Sequence, residues 1–328
     1  MKKFGFISLV LLFTGPIGLA QYGAFTRYND VSFTQYYSSP IYLNPAFAGY
    51  DGSSRISTAY RYQGRGQSSN FQTVNGSYDR MIGKTHGVAV NYQFNFADGT
   101  AQTHALSFVY APAIRLFKNK LVISPAIELG WRHGYLDVSK IPPYVPNPHS
   151  EYPFIYRPPT YTPRTDVFDM SAGLLLSHSN FTYGASFQHL TQPNISFVKP
   201  DEFYNGIAKL PIKYTAHLSY LGDVSERFKL SPSTIFINQQ DFTELQSTLT
   251  FYVYGARIGL GFRNSFNNPD AMLFMLGYQG HGFRVAYSYD LYVSSITNNL
   301  GASHEASLAY VFNFKKSENR KGVSLINF

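Results

Sequence analysis

The chain has 328 residues, of which 14% are charged and 17% aromatic, with 27 Lys and Arg against 19 Asp and Glu and no cysteine. Soluble domains carry roughly a quarter charged residues, and zero cysteine excludes disulfides, thiolate metal sites, Fe–S clusters, cysteine nucleophiles and a lipid-modified cysteine together. The surplus is 27 Tyr and 28 Phe against one Trp, yet a mean hydropathy of −0.17 is far below that of a helical membrane protein, so any apolar surface must be built without long apolar runs.

The N-terminus opens with Lys2 and Lys3, continues through an apolar stretch from Phe4 to Phe13, and exits through Gly18-Leu19-Ala20. This pattern predicts a secretory signal peptide over 1–20. A membrane anchor would need ~20 apolar residues, and this core is shorter and broken by Gly15-Pro16. Residues 21–52 are rich in Tyr, Asn and Pro without a clean period, so they form either a lead-in or a plug folded into a lumen. No later stretch approaches the ~18 apolar residues of a spanning helix. In a membrane, the mature chain must therefore cross as strands.

Alternation dominates past residue 50. Val88, Val90, Tyr92, Phe94 and Phe96 share one face of their segment against Ala89, Asn91, Gln93 and Asn95. Leu106, Phe108, Tyr110, Ile114 and Leu116 oppose Thr103, Ser107, Ala113 and Arg115; Phe283, Val285, Tyr287, Tyr289 and Leu291 oppose Arg284, Ala286, Ser288 and Asp290. Two architectures fit, a soluble sandwich or a membrane barrel. Periodic segments of about 10 to 15 residues, against the 5 or 6 usual in sandwich strands, favour the barrel, and outward Tyr and Phe suit interfacial girdles.

The segments number about fourteen, at 54–62, 69–82, 85–97, 100–117, 120–136, 166–177, 180–190, 212–222, 226–238, 243–254, 256–264, 271–279, 281–291 and 302–314. The predicted fold is an all-β transmembrane antiparallel barrel over 53–314, in an outer membrane. Tight turns at Gly83-Lys84, Lys118-Asn119-Lys120, His178-Ser179-Asn180, Gly222-Asp223 and Gly280-His281-Gly282 face the periplasm. The longer links 137–165, 191–211 and 292–301 face the exterior. Pro232 makes the ninth strand the least regular. Residues 315–328 form a basic periplasmic tail with Lys315, Lys316, Arg320 and Lys321; either its terminal Phe328 or Phe314 would serve as an assembly aromatic.

The run from Gln35 to Gly49, with Asn44-Pro45-Ala46-Phe47-Ala48-Gly49 at its end, resembles the opening signature of the PorP/SprF family of type IX secretion system membrane proteins. Tyr60-Arg61-Tyr62-Gln63, Phe187 to Asn194, Leu210 to Tyr214 and Gly301 to Leu308 resemble that family's first strand, middle and last strand, without the Trp often found after the first. The resemblance implies an outer-membrane barrel of a Bacteroidetes-type bacterium, acting with the type IX secretion and gliding apparatus. It implies as partners secreted, adhesin-like proteins with a C-terminal sorting domain, to be exported or anchored at the cell surface, and periplasmic peptidoglycan-associated components. The motif itself reads as structural: Pro45 fixes one backbone angle and Gly49 permits a positive one, turning the plug into the first strand.

Three sets of residues are candidates for function. The lumenal charges Arg55, Arg61, Arg115, Glu128, Arg132, Arg257, Arg263, Arg284, Asp290 and Glu305 would either line an ion path or pair with one another and with a plug; pairing is the commoner use of charge at such depth. Their surplus Arg would also suit the carboxylates of a cargo segment. In the loop 137–165, Tyr144, Tyr152, Phe154, Tyr156 and Tyr161 stand among eight prolines counted from Pro142 to Pro163. Proline lowers the entropy lost on docking and Tyr supplies amphipathic contact area, which points to a partner-binding surface or a loop folded over the barrel mouth. The nine histidines form no His-Glu-x-x-His, and no Gly-x-Ser-x-Gly elbow is present. No enzyme activity, cofactor or metal is expected. The basic residues fit outer-membrane lipid or peptidoglycan-associated partners rather than nucleic acid. The alternative function is a diffusion channel, like the long-chain fatty-acid channels, which pair about fourteen strands with an N-terminal plug.

Overall fold

The computed structural model describes residues 30–65, 69–97, 99–118, 120–140, 160–201, 205–265, 268–293 and 302–312. The expected signal peptide and basic tail lie outside these residues, as do Tyr144, Tyr152, Phe154 and Tyr156 of the loop. Among the described residues there are fourteen strands: β1 Ser54–Arg65, β2 Ser69–Ile82, β3 His86–Ala97, β4 Ala101–Pro112, β5 Leu121–Leu136, β6 Arg164–His178, β7 Phe181–Gln188, β8 Lys213–Tyr220, β9 Phe228–Gln239, β10 Phe242–Val253, β11 Ala256–Ser265, β12 Asn268–Gly280, β13 Phe283–Tyr292 and β14 Ser303–Phe312. β4 resumes as Ile114–Leu116 and β8 as Gly222–Ser225.

Each strand pairs antiparallel with its neighbours in sequence, and β1 pairs with β14 from Ser54↔Phe312 to Gln63↔Ser303, closing the ring. Closure leaves no unpaired edge, the condition for crossing a bilayer with strands. Two lapses in the ladders fall at prolines, which bring no N–H. Pro112 and Pro125 face each other between Tyr110↔Ile127 and Ile114↔Ile123. Pro232 lies where β9 loses β8 between Ser233↔Ser219 and Leu230↔Gly222. Because pairing resumes at Gly222, the expected turn at Gly222-Asp223 is displaced to Glu226-Arg227.

The outward face is apolar, with Phe108, Leu129, Trp131, Phe168, Leu260 and Leu276 exposed. The inward face is mostly polar. One end of the ring carries only short connections, such as 179–180 and 281–282; the other carries 137–163, 189–212 and 293–302. We call these the short-turn and long-loop ends.

The lumen holds residues 30–52. Asp30 lies at the long-loop end, its N–H donating to Gln239 Oε1 at 2.9 Å. The chain then descends through short helical turns at Tyr36–Ser38, Pro40–Leu43 and Pro45–Phe47 to the short-turn end. Its apolar side, including Tyr37, Ile41, Leu43 and Phe47, packs against inward Val109, Leu175, Ile235, Ile237 and Met275 from separate parts of the ring. A polar inner wall thus carries an apolar patch shaped for the plug.

The exit into β1 depends on two glycines. Gly49 adopts φ +64°, and a Cβ there would stand 2.8 Å from the Arg80 carbonyl oxygen. A Cβ on Gly87 would stand 2.0 Å from the Ala48 carbonyl oxygen. Gly87→Ala should therefore destabilise the barrel by more than ~1 kcal/mol, whereas Gly76→Ala, with nothing within 4 Å of the new Cβ, should change stability little. Urea unfolding in liposomes of the two variants checks this contrast.

Candidate functional site

The inward positions of β1, β11, β13 and β14 converge on Thr34 and Gln35 of the plug. Arg61 Nη2 lies 2.7 Å from Asp290 Oδ2 and Nη1 lies 3.1 Å from Glu305 Oε2. Arg263 Nη1 approaches the same Asp290 oxygen at 2.9 Å, and its Nε lies 3.4 Å from Glu244. The Thr34 hydroxyl donates to Asp290 at 2.7 Å and accepts from Arg61 at 2.9 Å and Arg263 at 2.7 Å. Glu305 accepts the backbone N–H groups of Thr34 at 2.8 Å and Gln35 at 2.9 Å. Every charge here is buried, so each depends on these charge-assisted bonds for its cost of leaving water.

Across the ring a second cluster forms around Asp30. His189, just past β7, bridges two carboxylates: Nε2 lies 2.6 Å from Asp30 Oδ2 and Nδ1 2.5 Å from Asp169 Oδ2. Arg132 and Lys213 stand 3.8 and 3.9 Å from Asp30, and the Lys213 ammonium lies 4.6 Å above the Tyr42 ring. Burial alone would raise the Asp30 carboxyl, but His189, Lys213 and Arg132 together hold it well below the usual carboxylate range. Burial alone would lower the His189 imidazole, but Asp30 and Asp169 hold it above its ordinary value. Glu128 accepts from the Ser107 hydroxyl at 2.5 Å and, with Arg132 and His189, borders a cavity of about 50 Å³, room for a few waters.

Beyond these clusters the segment is pinned at Asn44. Its Oδ1 caps the Pro45–Phe47 turn by accepting from Ala46 N at 2.9 Å. Its Nδ2 donates to the carbonyls of Leu174 on β6 and Ala185 on β7, both at 3.1 Å, and lies 3.3 Å from His217 Nε2 on β8. Phe47 stacks on His217 at 5.3 Å. The approach is possible because Gly173 lacks a side chain: a Cβ there would stand 2.2 Å from Asn44 Oδ1.

The family model for the type IX secretion system membrane protein PorP/SprF matches residues 25–310. The chain belongs to this family. No curated protein matches it. Among solved structures it is similar to the CymD monoaromatic hydrocarbon channel, at 12% identity over 85% of this chain and 93% of that one, with a TM-score of 0.50. It is equally similar to the TodX monoaromatic hydrocarbon channel deltaS2 mutant, at 12% identity over 85% and 94% with a TM-score of 0.50. These likenesses concern the fold.

In this PorP/SprF barrel the ten lumenal charges read from the sequence occupy different settings. Arg61, Arg263, Asp290 and Glu305 meet in the first cluster, and Glu128 and Arg132 border the second. Arg55, Arg257 and Arg284 gather at the short-turn end, where Arg55 pairs with Asp79 at 2.8 Å and Asp51 at 3.3 Å. Arg115 stands apart, half-buried beside the β4–β5 turn. Of the loop aromatics only Tyr161 is described; it is half-buried and forms an isolated bridge with Val198, joining the two long loops. Sequence reasoning missed Asp30, Thr34, Asp79, Asp169, His189, Lys213 and Glu244. Asp79, Asp169 and Glu244 had a usable signal, since each shares its strand's polar parity; the plug residues had none.

Arg61→Met leaves Asp290 and Glu305 with less compensation and should destabilise the barrel by about 3–5 kcal/mol, against little change for Arg115→Met, in the same urea measurement. The His189 bridge gives a pH dependence of definite sign. Its raised imidazole contributes fully below the unfolded value of about 6.5 and loses that contribution as pH rises through the folded value. The lowered Asp30 carboxyl contributes above its unfolded value of about 3.9 and loses its share below it. The wild type should therefore lose stability from pH 6 to pH 9, and His189→Gln should lack that slope.

Proposed function

We propose that the protein is a non-enzymatic outer-membrane component of the type IX secretion apparatus that receives secreted proteins through their C-terminal sorting domain and exports or anchors them at the cell surface. Family membership supports the secretion role. The observation that carries the docking role over diffusion is the filled lumen. Residues 30–52 are tied to opposite halves of the wall by the Thr34 and Asp30 clusters and pinned beyond them at Asn44, and the two cavities beside these clusters among the described residues are about 50 and 20 Å³, far below the several hundred Å³ of a small-molecule site.

The long-loop end is the receiving side in this reading. Short turns face the periplasm and long loops the exterior in outer-membrane barrels, and loops 137–163 and 189–212 rise from the adjacent strands β5 to β8. The Pro- and Tyr-rich sequence within 137–163 suits stiff, aromatic contact area. Periplasmic peptidoglycan-associated components would meet the opposite end, and the exposed apolar belt meets lipid.

Affinity purification of the tagged protein from its native membrane in mild detergent, with mass spectrometry of co-eluting proteins, tests the reading. A large secreted protein carrying a C-terminal sorting domain is expected, and deletion of residues 142–163 should reduce its recovery at least tenfold while the barrel still assembles. A barrel that elutes alone and conducts ions in a planar bilayer would establish the channel instead.

A further inference from the structure

The strands that start at the short-turn end place their second residues inward, and there the ring is electrically lopsided. On β9, β11, β13 and β1 these residues are Lys229, Arg257, Arg284 and Arg55. On β3, β5 and β7 they are Gly87, Val122 and Thr182. Four cations thus stand on one half of the rim, against Arg115, beside the β4–β5 turn, as the lumenal cation of the other half among the described residues.

The strands between them leave space for the guanidinium groups to converge. Arg284 lies opposite Ala309 on β14, and Arg257 lies opposite Gly277 on β12. Tyr37, Ser38, Arg55, Arg257, Arg284, Ser307 and Ala309 enclose a cavity of about 10 Å³, the size of one water. Compensation is incomplete. Asp51 is shared between Arg55 at 3.3 Å and Arg284 at 3.8 Å, and Asp79 is shared between Arg55 at 2.8 Å and the N–H of Gly49 at 3.0 Å. Arg257 meets no carboxylate among the described residues and lies 4.4 Å over the Tyr37 ring. Among the described residues Lys229 pairs with Asp223, which is largely exposed, at 3.2 Å. Arg55 Nη2 is a buried donor with no hydrogen-bond partner among the described residues, although its side chain is only 5% exposed. A buried guanidinium with an open donor ordinarily faces an acceptor.

We propose that this arc is a docking site for an acidic protein segment presented at the short-turn end, whose carboxylates bind at Arg284 and Lys229, the two accessible cations of the arc, with the buried Arg257 and Arg55 behind them adding positive field. The cations face the lumen, so lipid headgroups packed outside the wall do not reach them, whereas an extended segment entering the mouth does. Arg284, with 15% of its side chain exposed, is the point of entry. The proposal is independent of the cargo reading, which concerns the opposite end.

Fluorescence anisotropy of labelled hexaglutamate with the purified full-length barrel tests it, using Arg284→Gln, Lys229→Gln and, as a control, Arg227→Gln, an exposed turn residue at the same end bonded to Tyr254. Saturable, salt-sensitive binding is expected, weakened about tenfold by Arg284→Gln, less by Lys229→Gln and not by Arg227→Gln. Each variant is first checked for a heat-modifiable, folded barrel. Binding that is absent, that is equal in Arg284→Gln and wild type, or that inorganic phosphate displaces as readily as unlabelled peptide would overturn the docking of a segment.

Discussion

The Glu305 carboxylate joins the two features on which the rest of the molecule depends, the closed ring and the filled lumen. Glu305 lies directly opposite Arg61 where the last strand meets the first, and the same carboxylate accepts the N–H groups of Thr34 and Gln35. Closing the ring therefore builds the receptor for the plug. A buried carboxylate without such partners would be strongly unfavourable, so each feature is stable only in the presence of the other.

The plug is held by unlike means along its length. Its first part meets charge on both sides of the ring, through Asp30 toward β5, β7 and β8 and through Thr34 and Gln35 toward β11, β13, β14 and β1. Further along, toward β6, β7 and β8, it meets backbone carbonyls and an aromatic stack, through Asn44 and Phe47. Ionic contacts respond to pH and to substitution of one partner, while an amide seated in a glycine-lined notch responds chiefly to shape. The middle of the segment is in this sense the fixed part, and its ends carry the titratable groups.

Much of the ring was legible in the sequence because period two survives wherever one side faces lipid and the other polar groups. The segments at 69–82, 85–97 and 120–136 matched β2, β3 and β5 closely, and even the strand with Pro232 formed, its missing N–H falling where β8 is interrupted. Displacement of the Gly222-Asp223 turn shows the weakness of reading turns from residue type, since ladder partners at Leu230 and Lys229 outweigh a Gly-Asp pair. The Asn44 motif identified the family, but its contacts were not legible. They depend on Gly173, Gly184 and His217, far away in sequence and brought together only by ring closure. Asp30 escaped notice because it lies outside the periodic segments, and His189 because it falls past the end of β7, although the segment read at 180–190 included it.

The direction of the plug constrains how the molecule is made. Asp30 sits at one end of the ring axis and Ser54 at the other, so the chain runs through a hoop whose final joint, Ser54 to Phe312, is also its longest-range contact between strands. Threading a finished hoop would drag the polar groups of the plug past a tightly packed wall. Laying the thread in an open, partly built sheet and fastening the joint afterwards avoids that passage. In such a sequence of events the segment before the first strand is a mandrel around which the cylinder is wound.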